Sequence, residues 1–177
     1  MMQSLRRLPL YLTLCFNIAV VPAFTQEQPR KLPTLSQSMQ INFGNVNKKI
    51  LAMAQDFPES KYDYRPGADV RSFAEVILHV AASNNYVEKT ANGEKLEWSE
   101  LARDKYKTKA DIVEALKQSI ATSTGVLKEF TDERLAKSPA PWPSYIEHAG
   151  EHYGQLVVYY RVNGLVPPSS RPKDKTD

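Results

Sequence analysis

Residues 144–168 read SYIEHAGEHYGQLVVYYRVNGLVPP and carry the marks of one amphipathic helix. Ser144 followed three residues later by Glu147 is a capping-box pattern, in which a hydroxyl and a carboxylate each satisfy a backbone N–H left free at a helix start. Asn163-Gly164, with Pro167-Pro168 just beyond, is a stop signal, so the predicted helix runs from Ser144 to about Val162. Inside it His148, His152, Gln155 and Tyr159 are spaced four, three and four apart and share one face. A plain core helix would place Leu or Val along that stripe; here it is polar.

The same grammar recurs upstream. Ser72 with Glu75 opens a helix whose apolar positions Phe73, Val76, Ile77, Val80, Ala81 and Val87 keep the helical period until Asn92-Gly93. Thr108 with Asp111 opens another, with Ile112, Leu116, Ile120 and Phe130 as its stripe. Between Gln37 and Phe57, Met39, Phe43, Val46, Ile50, Leu51 and Ala54 mark a fourth amphipathic segment, closed by Pro58. Residues 92–107 are polar and irregular and predict a loop with a short helix, in which Trp98 and Leu101 cover one end of the helices. Residues 138–143, SPAPWP, hold three prolines and predict a non-helical link. With no alternating strand and no repeat, the pattern predicts an all-α four-helix bundle over residues 36–170. The long link between the second and third helices permits either simple antiparallel order or a crossover.

The ends read differently. Arg6 and Arg7 precede an apolar run from Leu8 to Val21, then Pro22 and Ala23, which predicts a signal peptide over residues 1–25 with cleavage near residues 23–26. The run is shorter than the roughly 20 residues a spanning helix needs, which favours cleavage, and so a periplasmic or secreted destination, over the alternative of an uncleaved N-terminal membrane anchor. Cys15, the only cysteine, lies in that leader, so the mature domain is expected to have no disulfide, thiolate nucleophile or Cys metal ligand. Residues 26–35 read as a linker and 171–177 as a disordered tail. The chain has 23 Lys+Arg against 20 Asp+Glu, and losing Arg6 and Arg7 leaves the domain nearly neutral, which gives no reason to expect nucleic-acid binding. At 42% hydrophobic and 24% charged residues, the composition is that of an ordinary globular domain and excludes a polytopic membrane protein.

The mature domain has three histidines, His79, His148 and His152, all on predicted helices. Four residues apart on one helix, His148 and His152 have Cβ atoms about 5–6 Å apart, a spacing that lets both imidazoles reach one ion at about 2.0–2.1 Å. His79 falls on the flank of the second helix's apolar face, beside Ser83 and Tyr86. If that helix neighbours the last one, three neutral imidazoles converge and leave a coordination position open. Such a set suits zinc, nickel, copper and iron alike. Gln155 and Tyr159 are expected to orient ligands or substrate from the same stripe, and Glu151, about 100° around the helix from His152, is a candidate acid/base or supporting group. No glycine-rich phosphate loop, GxSxG, HExxH or CxxCH sequence is present. The competing reading is a non-catalytic metal-binding or interaction module on the same bundle.

Two stretches, FPESKYDYRPGADVRSFAEVILHVAASNNY (57–86) and HAGEHYGQLVVYYRVNGLVPPSS (148–170), resemble the DinB superfamily. In that resemblance His79 matches the family's first metal histidine, and His148 and His152 the second and third, followed by Gly154-Gln155 and the Asn163-Gly164 ending. It implies a four-helix bundle, a three-histidine site for a divalent ion, zinc or nickel, and a homodimer acting on a small molecule. Relatives of assigned activity include transferases and isomerases that use bacillithiol, mycothiol or glutathione, cytoplasmic thiols that do not fit an exported chain. Tyr153 stands where many relatives carry Arg or His.

Overall fold

The computed structural model describes residues 31–172, so the expected leader over 1–25, residues 26–30 of the expected linker and residues 173–177 of the expected tail lie outside it. Among the described residues there are five α-helices and no strand: α1 (Leu35–Asp56), α2 (Phe73–Ala91), α3 (Lys109–Lys128), α4 (Asp132–Lys137) and α5 (Trp142–Val162). No helix among them is long and apolar enough to cross a membrane. The expected all-α fold is present, with four long helices and one short one that the sequence pattern does not announce.

Reciprocal side-chain caps set where three of the long helices begin. Ser72 Oγ accepts from the Glu75 N–H (3.2 Å) while Glu75 Oε2 accepts from the Ser72 N–H (2.7 Å). Thr108 and Asp111 do the same for α3, at 3.1 and 2.8 Å. Thr34 and Gln37 cap α1, which therefore starts at Leu35, ahead of the expected Gln37. At the far ends, Gly93 (φ +88°) and Gly164 (φ +71°) take the left-handed conformation that closes α2 and α5, which a side chain would disfavour.

The expected cap of the last helix does not form. α5 starts at Trp142, two residues before Ser144, with Pro141 as its N-cap and no side-chain cap bond, and Glu147 is exposed. Pro143 is tolerated in the first turn because its missing N–H would have had no intrahelical partner there. The helix extends to Trp142, whose indole is completely buried against Phe43 and Phe130. The extra helix, α4, is capped by Thr131, which accepts from the Arg134 N–H (3.2 Å), and it buries only Leu135, too few positions for a readable period.

α1 packs on α3 and α5, and α2 packs on the same two helices. The order around the bundle is thus α1, α3, α2, α5. The second and third helices are neighbours, and it is the α1-to-α2 and α3-to-α5 connections that cross a diagonal. α2 is the most enclosed helix: from Phe73 to Asn84 every residue but Glu75 is buried. At one end of the core Phe57 stacks on Phe73 (centroids 3.9 Å apart) beside Tyr160. Near mid-core Asn47 accepts from the Tyr145 hydroxyl (2.9 Å) and from Asn84 (3.4 Å), a polar tie between α1, α5 and α2. Arg171, read with the tail, is instead fastened to the bundle by two bonds to the Asp56 carboxylate (2.8 and 2.5 Å).

The α2 cap gives a stability prediction with a defined pH dependence. Burial works against the Glu75 charge, but the Ser72 N–H and Arg65 outweigh it and hold its carboxyl below the ordinary value of 4.5. A depressed carboxyl contributes stability that is complete above the unfolded-state value and lost as pH falls through the folded one. Glutamine can keep the capping geometry, as Gln37 does at α1, so Glu75→Gln removes the charge alone, and urea unfolding is expected to find it less stable than wild type by no more than about 1 kcal/mol at pH 7. The gap should close as pH drops below about 4; a gap that persists at low pH would contradict the assignment.

Candidate metal centre

α2 carries His79 on its outer flank, and α5 carries His148 and His152 one turn apart facing it. Because α2 and α5 are neighbours in the bundle, the three rings meet. His148 Nε2 lies 3.0 Å from His79 Nε2 and 3.0 Å from His152 Nε2. Two donors of a tetrahedral ion at about 2.0–2.1 Å sit roughly 3.3 Å apart, close to these separations. His79 is buried and the other two are half-buried.

The opposite ring nitrogens fix the tautomers. His79 Nδ1 lies 2.8 and 3.0 Å from the two carboxylate oxygens of Glu100, which can only accept, so Nδ1 carries the proton. His152 Nδ1–H donates to Gln155 Oε1 (2.8 Å). Both Nε2 atoms therefore present lone pairs to His148 Nε2, which has at most one proton to share between them. At least one contact sets lone pair against lone pair, an arrangement that a cation relieves and a proton alone does not. Burial, then the neighbouring His152 and His79, push the His148 pKa down to about 4. Burial likewise lowers that of His152. Both rings are thus neutral at ordinary pH, the form that ligates metal.

Glu100 belongs to the strap of residues 92–108 that follows α2. The strap is anchored by Arg103, which bonds both Asp63 carboxylate oxygens (2.9 and 3.1 Å) and the Tyr106 carbonyl. Arg71, just ahead of the α2 cap, donates to Glu100 Oε1 (2.9 Å). The Arg71–Glu100 pair is largely exposed and adds little to stability; its consequence is to aim the carboxylate at His79. Trp98 of the same strap sits edge-on to His79, with centroids 5.2 Å apart.

Gln155 holds His152 and donates weakly to the Tyr159 hydroxyl (3.5 Å), which in turn donates to the Arg71 carbonyl. Tyr159 is buried among Tyr64 and Phe73, one step removed from the imidazoles. Glu151 is exposed and makes no hydrogen bond to the histidines among the described residues, because one position along a helix turns it about 100° away toward solvent. The carboxylate that reaches the cluster is Glu100, which periodicity cannot find because it lies on an irregular segment 21 residues from His79. Tyr153 points elsewhere, its hydroxyl 2.5 Å from Ser169 Oγ and its ring under Lys49.

Among the described residues no fourth His, Cys or carboxylate joins the set. Beside it opens a cleft of ≈ 320 Å³, bounded by α2, the start of α5 and Trp98, with His79 and His148 at one end. Three imidazole nitrogens with an open side fit a divalent ion that exchanges ligands better than a closed structural site.

No curated protein and no solved structure matches the chain. A family model described as the DinB superfamily matches residues 43–160, more than half of the chain and a span that holds all three histidines, Gln155 and Glu100. With its helical bundle and three-histidine cluster, the chain belongs to the DinB superfamily.

Proposed function

We propose that this is an exported metal-dependent hydrolase or transferase in which His79, His148 and His152 hold one divalent ion, zinc or nickel, through Nε2. The observation that carries the reading is the convergence of three Nε2 atoms, two of them with their tautomer set by an acceptor at Nδ1. A divalent ion held there supplies Lewis-acid polarisation of a substrate oxygen.

The protein's own residues do the rest. Glu100 keeps the His79 ring turned with its Nε2 inward, and Gln155 does the same for His152. Tyr159 steadies Gln155 and joins it to the backbone at Arg71, the residue whose side chain aims Glu100. The two supports are thereby tied to each other around the cluster. Trp98 and the strap cover His79 on the solvent side, while the cleft along α2 and α5 gives a substrate access. Export is read from residues 1–25, and it separates this chain from relatives that draw on cytoplasmic thiols.

Zinc or nickel added at a hundred-fold excess over its Kd is expected to stabilise the folded protein by about 2.7 kcal/mol, a rise in Tm of about 5–10 °C. His148→Ala should abolish the shift; an unmoved Tm in wild type contradicts the reading.

Chelator competition discriminates the supporting carboxylate. Glu100→Gln is expected to weaken metal binding about ten- to a hundred-fold, and Glu151→Gln to leave it unchanged. Equal effects of the two substitutions would remove Glu100 from its assigned role.

A further inference from the structure

The walls of the cleft beside the histidines differ from those of the rest of the surface. Tyr86 and Val87 of α2, Trp98 of the strap and Tyr145 of α5 form its body, and no Asp, Glu, Lys or Arg is among its lining residues. Tyr86 and Trp98 pack edge-on to each other, with centroids 5.6 Å apart, and yet stay 37% and 44% exposed. Two large aromatic rings left half in water around a concavity are the usual mark of a ligand surface.

Polarity is graded along the cleft. The imidazoles of His79 and His148 stand at one end. Ser83 and Ser144, each four residues from its histidine on α2 and α5, contribute hydroxyls next. The Ser83 hydrogen is spent on the His79 carbonyl (2.8 Å), which leaves its oxygen free to accept. Beyond the serines only aromatic and aliphatic surface remains. The charged groups nearest the site, Arg71 and Glu100, are paired with each other and line a separate hollow.

We infer that the cleft binds an uncharged substrate whose apolar body, an aromatic ring or branched aliphatic chain, lies between Trp98, Tyr86 and Val87 while its polar atom faces the histidines. This names the substrate class for the site proposed above and rests on that reading for its chemistry, though not for its binding preference. A carboxylate or ammonium seated at the aromatic end, between Trp98, Tyr86 and Val87, would lose its hydration and meet no opposite charge. The space, ≈ 320 Å³, is about twice the roughly 150 Å³ of a cavity that takes benzene, enough for a ring with a short substituent. Trp98 is the residue that sets specificity, because it is the wall contributed by the strap rather than by the packed bundle.

The test uses two probes of one shape, 4-fluorobenzyl alcohol and 4-fluorobenzoate, titrated into the purified protein by fluorine NMR, once stripped with chelator and once loaded with zinc. In the stripped protein the alcohol is expected to bind about ten-fold more tightly than the benzoate. In the stripped protein Trp98→Ala should cut the alcohol's affinity five-fold or more while the helical circular dichroism stays at the wild-type level. Benzoate binding as tightly as the alcohol in the stripped protein, no saturable binding of the alcohol, or an unchanged affinity in Trp98→Ala would each overturn the inference. If zinc fails to bind while the alcohol preference holds, the cleft assignment is supported and the metal reading alone fails.

Discussion

Three imidazole nitrogens crowded to 3.0 Å without enough protons to share are the constraint on which the site depends. Left to themselves, lone pairs at that distance repel, and exposed rings would turn away. Here they cannot turn freely, because Glu100 and Gln155 hold the far nitrogens of two rings, and the third sits between them on the same helix as one of its neighbours. The arrangement is one that could hold a metal ion, because the cost of bringing the donors together is already met by the fold before any cation arrives.

The bundle supplies the rigidity this requires. The capping box at Ser72 sets the register of α2 and therefore the height of His79. The buried start of α5 at Trp142 sets that of His148. Asn47 then ties α1 to both helices through Tyr145 and Asn84 in the middle of the core. Breaking one member of such a buried network leaves another polar group without its partner, so the helices that carry the histidines are fixed relative to each other by specific bonds as well as by apolar packing. The solvent side of the site is built differently. It comes from a strap with no regular helix beyond one short turn at Arg103–Lys105, fastened at Arg103 and Glu100. A loop wall beside a helix-borne cluster lets the surface that meets a ligand change without disturbing the histidines.

Much of this could be read in advance, and the parts that could not share one physical reason. Caps and stops are local, so the helices opened by Ser72 and Thr108 and ended at Asn92 and Asn163 follow from a few residues each. The cap expected at Ser144 fails because a proline in the first turn is compatible with an earlier start and Trp142 has a buried place to go. The short α4 carries one buried residue and so has no period to detect. Which helices are neighbours is a property of the whole assembly, and the two diagonal connections have no signature in any one segment. Within the site, the histidines and Gln155 share a helix face or a flank and are legible. Glu100 and Trp98 reach the cluster only because the strap folds back over α2, and Glu151, adjacent to His152 in sequence, is turned out to solvent.

X-ray absorption at the metal edge of zinc-reconstituted protein reads the donor set of His79, His148 and His152 directly. A three-histidine centre predicts about one equivalent of zinc with three imidazole nitrogens at about 2.0–2.1 Å and at least one further light-atom ligand from outside the histidine set, reduced to two imidazoles or lost in His79→Ala. Less than about a tenth of an equivalent bound, or a coordination shell that keeps its imidazole count in His79→Ala, would contradict it.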